Sequence, residues 1–173
     1  MNKINIFLLI LITASIPAIA KEKLEHNVKF SIKQIATNSV NAFYLARGFT
    51  MEQIEPYADS CVYTTILRND NKVDSIHYVR NNWVAQLQNV LSPVKTNTYW
   101  NEQFQEDNVS MSSWIAFRLA QMPEEQIYAA NGDWNQGMLS IDVPKGSQFD
   151  LVIKWDIKGK PYELTIHDIK CVK

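Results

Sequence analysis

Apolar and polar residues alternate from Val28: Val28, Phe30 and Ile32 on one side, Lys29, Ser31 and Lys33 on the other. A period of two predicts a half-buried strand over 28–36. At Ser39 the period lengthens, with Val40, Phe43, Tyr44 and Arg47 on one helical face. Gly48 stands where a left-handed helix stop belongs. Thr50 with Gln53 three residues on has the form of a capping box, opening a second short helix that Pro56 should end. The β-branched and aromatic run Cys61 to Leu67 predicts a strand, and RNDNK at 68–72 a turn.

Farther on, Ile76, Val79, Trp83, Leu87, Val90 and Leu91 follow helical spacing, which predicts a helix over 75–91 stopped by Pro93. TYWNEQF at 98–104 is expected to be a strand. Val109, Met111, Ile115, Phe117 and Leu119 share one parity, which favours another strand, with a helix as the alternative for SSWIAFRLAQM. Leu139, Ile141 and Val143 alternate again after the stretch NGDWNQGM at 131–138. Leu151, Ile153, Trp155 and Ile157 then turn at Lys158-Gly159-Lys160 into Tyr162, Leu164 and Ile166, a hairpin. After His167 the apolar positions shift to Ile169 and Cys171. A phase change of one residue is the mark of a β-bulge, with His167 or Asp168 the extra residue. The pattern as a whole predicts an α+β fold. It consists of an antiparallel β-sheet, as a sandwich or half-open barrel of about seven strands, with two or three helices in the N-terminal half.

The ends change the picture. Lys3, the apolar run Ile4 to Ile12 and the small residues of Ala18-Ile19-Ala20 make residues 1–20 a signal peptide, with cleavage expected after Ala20. KEKLEHN at 21–27 is expected to be a flexible lead-in, and 28–173 a single globular domain. No other apolar run is long enough to span a bilayer, so no transmembrane segment is expected in the mature chain. The chain carries 17 basic and 18 acidic residues; removing Lys3 leaves 16 against 18, a charge of −2. No basic run occurs, which argues against nucleic acid as a partner. The location expected is the bacterial periplasm or the exterior.

Two Cys, Cys61 and Cys171, form an isolated even pair in an exported chain, which predicts a structural disulfide. Asn108-Val109-Ser110 is a glycosylation sequon, relevant only in a eukaryotic secretory path.

Reactive constellations are sparse. No G-x-S-x-G elbow is present, and both Cys are assigned to the disulfide. No H-x-x-x-H or H-x-H motif supplies a metal site; His77 and His167, with a Met brought near by folding, are weak candidates for copper. His77 is expected on the polar face of the 75–91 helix. No cofactor is expected. Asp133, Trp134, Asn135 and Gln136 are the candidate ligand-binding residues, because a Trp among acids and amides has the composition of a sugar-stacking loop. Against this, a Trp in a loop commonly plugs the end of a sandwich core, and the strand starting at Met138 favours the plug. The functional expectation is a non-catalytic accessory or ligand-binding protein whose partner is a small molecule, a glycan or an envelope protein. The alternatives are a small glycan-directed enzyme, with Asp133 or Glu124 as acid or base, and a protein–protein inhibitor or envelope-assembly factor.

Overall fold

The computed structural model describes residues 20–172, so the expected signal peptide lies, Ala20 apart, outside the described residues. Among these residues two antiparallel sheets and four helices form an α+β fold. The first sheet has the order β1 (Lys21–Glu25), β2 (Val28–Gln34), β3 (Cys61–Asn69) and β8 (Asp133–Ile141). The second contains β4 (Ile76–Val79), β5 (Val84–Leu87), β6 (Val90–Pro93), β7 (Glu125–Tyr128), β9 (Gln148–Ile157) and β10 (Lys160–Lys170). Strand β9 is its spine. β10 runs along one edge of β9, while β5 and β4 share the other, pairing with Asp150–Val152 and with Asp156.

Val28, Phe30, Tyr63, Leu67, Leu139 and Ile141 from the first sheet meet Ile76, Leu151, Ile153 and Leu164 from the second, with Trp83 just before β5, in one core. The sheet edges also approach each other. A single bridge joins Val94 to Ile141 on one side. On the other, Lys21 Nζ donates to His167 O at 2.6 Å and Lys23 Nζ to Thr165 O at 3.3 Å. The sandwich is thus drawn partway toward a barrel, with side chains standing in for a ladder at one seam. The charged segment expected to be a flexible lead-in is therefore the edge strand β1. Its lysines place their ammonium groups on backbone carbonyls of β10.

Helices α1 (Thr37–Leu45), α2 (Met51–Ala58), α3 (Asn97–Glu106) and α4 (Met111–Ala120) pack beneath the outer face of the first sheet. They cover it only around Val62 and Met138. The capping box forms as expected: Gln53 N donates to Thr50 Oγ1 at 3.3 Å, and Thr50 N to Gln53 Oε1 at 2.9 Å. The helix it opens runs through Pro56 to Ala58.

Three expectations fail in the middle of the chain. Residues 75–91 are not a helix. Ile76, Tyr78 and Arg80 are buried with period two, then Trp83 and Ala85 with the opposite phase, and a 3-10 turn at Arg80–Asn82 separates them. Two strands slipped by one position imitate helical spacing. Conversely, 98–104 and 111–119 are helical. Thr96 and Ser110 cap them by accepting from Tyr99 N at 3.1 Å and Ser113 N at 3.2 Å, and Trp100 with Phe104 is the buried i, i+4 pair of α3. In α4, Met111, Ile115 and Leu119 lie i, i+4, i+8 apart and are exposed, while Phe117 is buried. Their common parity made a helix resemble a strand.

The C-terminal strand behaves as expected. Pairing of β10 with β9 shifts register between Ile166 and Ile169, and Asp168 takes a φ of 58°. Asp150 holds this bulge: its carboxylate accepts from Asp168 N at 2.9 Å and meets His167 Nδ1 at 2.7 Å. The bulge returns Cys171 to the buried side, where it is disulfide-bonded to Cys61 at the start of β3, with a Cα–Cα distance of 5.6 Å.

Candidate functional site

The stretch 131–138 is a crossing between sheets followed directly by a strand. Asn131 and Gly132 have φ of 68° and 92°, a left-handed pair that lets the chain pass from β7 to β8. Their N–H groups donate to Asn71 O and Asn69 O, each at 2.7 Å. A side chain at Gly132 would press on the Arg68 guanidinium, and one at Gly137 would fall on the backbone of Gln121 and Met122. The two glycines are thus required by close approach rather than by a ligand.

The four candidate residues part company on β8. Asp133 accepts from Ala129 N and from Trp134 N, each at 2.9 Å, and Asn135 Oδ1 accepts from Gln136 N at 2.7 Å. Both are spent on local backbone. Trp134 and Gln136 share the other parity and face outward. The expected plug is not formed: Trp134 is 53% exposed. The inward positions of β8 are taken by Leu139 and Ile141, and at the Trp134 end the outer face of the sheet has no helix over it.

Register defines the surface in which Trp134 stands. Trp134 is directly opposite Arg68, Arg68 opposite Lys29, and Lys29 opposite Leu24. The next row runs Gln136, Ile66, Ser31, Glu22. Directly opposed side chains in a sheet lie about 5 Å apart, so each row is continuous. Lys29 pairs with Glu22 at 2.9 Å and Arg68 with Asp70 at 2.6 Å. The result is an open sheet face carrying one large aromatic ring, an amide and paired charges.

His77 is on β4, not on a helix. Its Nδ1 meets Asp156 at 2.8 Å and its Nε2 meets Glu125 at 2.8 Å. The hydrogen bonds to Asp156 and then to Glu125 raise its pKa above 6.5, and the same bond to His77 holds the Asp156 carboxyl below its ordinary value. An imidazole with a carboxylate on each nitrogen has neither a lone pair for a metal nor a free nitrogen for proton transfer. His167 is fixed opposite Asp150, six residues along β9 from Asp156, roughly 20 Å at strand rise. The two His therefore do not converge, and no group of three metal-binding side chains occurs among the described residues.

Several buried polar residues escaped the sequence reading. Arg80 is 1% exposed; it donates to Met122 O and reaches Asn97 Oδ1 and Glu124 Oε1, each at 3.3 Å. Burial lowers its pKa, and Glu124 opposes that shift. Glu124 also accepts from Asn97 N at 2.7 Å, anchoring the start of α3. Asn69 turns its amide toward the carbonyls of Asp74, Tyr128 and Ala129 and ties the 69–74 loop to the crossing. Only the inward parity of Arg80 with Ile76 and Tyr78 signals any of this in the sequence. The two acids considered for acid–base work, Asp133 and Glu124, thus both hold the fold. Comparison with protein-family models, curated proteins and solved structures finds no match to this chain.

Proposed function

We propose that this chain is an exported, non-catalytic binding protein of the bacterial periplasm or exterior, and that its outer β-sheet face around Trp134 engages a glycan. The observation that carries this reading is the exposure of Trp134 on a rigid strand, flanked by Arg68 and Gln136. Aromatic rings held this way offer a large contact area at little entropic cost, and neighbouring amide and guanidinium donors suit sugar hydroxyls. An open sheet face with continuous side-chain rows fits a polymer better than a single small molecule. The occupied state of His77, Asp133 and Glu124 supports a non-catalytic role. Export is supported by the disulfide and by the expected cleavage after Ala20.

The test is co-sedimentation of the mature protein with insoluble peptidoglycan. The wild type is retained and Trp134→Ala is released while melting unchanged. Equal retention of both proteins would sink the assignment of this face. The partner-protein alternative has its own support in the exposed Met111, Ile115 and Leu119 row of α4.

A further inference from the structure

We propose that a cleft between β4 and the β9–β10 hairpin is a second binding site, for a neutral saccharide unit. It shares no residue with the Trp134 face and does not depend on it. Its origin lies in the sheet. β4 and β5 pair with the same edge of β9 at Asp156 and at Asp150–Val152, and the ladder is interrupted opposite Ile153–Trp155. The 3-10 turn carries the chain away there, and Trp83 Nε1 donates to Lys154 O at 2.9 Å. A cleft of about 690 Å³ opens beside the gap, lined by Asn82, Lys154, Trp155, Asp156, Tyr162 and Glu163 among others. That volume suits a small ligand.

Three features set the class of ligand. Trp155 is 3% exposed, and its indole N–H has no acceptor among the described residues. Buried donors are nearly always satisfied, so an unpaired one lining a cleft marks a place for an acceptor from outside the chain. Tyr162 is half-buried beside it, with ring centroids 6.2 Å apart and planes at 15°, and His26 meets Tyr162 edge-on at 4.9 Å. This gives an aromatic wall for the C–H face of a sugar ring. The charged groups pair off: Asp156 meets His77 Nδ1 at 2.8 Å and Glu163 stands directly opposite Lys154 in the β9–β10 register, so the lining offers donors and acceptors without recruiting an ion. Hydroxyls donating to Glu163 and accepting from Asn82 and the Trp155 indole use this set fully.

The experiment follows indole N–H resonances of the mature protein by NMR while N,N′-diacetylchitobiose or maltose is added. Five Trp give five signals. The Trp155 signal should move with at least one disaccharide and the Trp134 signal should not. Glu163→Gln and Trp155→Phe should each weaken binding about tenfold, equivalent to a tenfold rise in Kd. Glu163 is exposed, so its variant is informative even if Trp155→Phe does not fold. A Trp155 signal unmoved by both sugars overturns the proposal, as does undiminished binding to Glu163→Gln. Movement of the Trp134 signal alone would overturn the cleft while supporting the sheet face.

Discussion

The space between the sheets and the space beneath the helices are both aromatic, yet they satisfy their polar tips in different ways. Between the sheets, the tips that find a partner reach backbone: Tyr63 Oη donates to Lys170 O, Tyr78 Oη to Pro123 O, and Trp83 Nε1 to Lys154 O. A covalent link, Cys61–Cys171, closes that core. Beneath the helices the tips bond one another. Gln121 Nε2 donates to Tyr44 Oη at 2.9 Å and Tyr57 Oη at 3.0 Å, and Trp100 Nε1 donates to Ser140 Oγ at 2.8 Å. Burial pushes both tyrosine hydroxyls well above their ordinary pKa, so they stay neutral donors. The difference follows from the elements. Strand ends and loops leave carbonyls free to accept, whereas helix interiors consume their own, so a helix-lined core must bring its own partners.

The largest expected effect tests the covalent side. Cys171→Ala should cost about 2–5 kcal/mol of stability, because the bond closes a long loop in the unfolded chain. Denaturant melts of variant and wild type, with and without reductant, check it; a reductant-insensitive wild type would contradict it. Gln121→Leu tests the network side. Leaving Tyr44 and Tyr57 without that amide should cost about 1–3 kcal/mol, and Tyr57→Phe in the same background should recover part of it. A double-mutant cycle with no coupling would show the network to be incidental.

A smaller effect is expected at the protein surface. The folded pKa of His77 is raised, so its contribution is complete below pH 6.5 and fades as pH climbs through the raised value. That of Asp156 is lowered, so its contribution is present above 3.8 and fades as pH falls through the depressed value. Wild-type stability should therefore decline as pH rises above about 6.5, by less than about 1 kcal/mol for pairs open to solvent, and His77→Gln should flatten the decline. The smallest change is expected for Trp134→Ala. Outside both cores, it should shift stability by no more than about 0.5 kcal/mol. A loss of several kcal/mol would restore the ring to the core.

Legibility varied with the kind of signal. The bulge was readable because a one-residue phase change between Ile166 and Ile169 has few other causes. The capping box at Thr50 and Gln53 was readable because it is local. The helical reading of 75–91 failed because two half-buried strands in opposite phase mimic a 3.6-residue period, and the strand reading of 109–119 failed because helix positions four and eight apart share the parity of a strand. Of the candidate site, Trp134 and Gln136 remain together on one face. Asp133 and Asn135 do not, since neighbouring strand residues point apart.

By itself the sequence determined the disulfide partners, the strand–helix–helix–strand opening, the closing hairpin with its bulge, and the α+β class. Each of these rests on spacing within a few residues or on the pairing of two Cys. Only the tertiary structure decided that Trp134 is exposed, that His77 is held between two carboxylates, that Arg80 is buried, and that β9 leaves a gap beside Trp155. These depend on which strand lies next to which, and on where the helices stop covering the first sheet. Contacts between residues 40 to 80 positions apart carry no period in the chain, so they become visible only when it is folded.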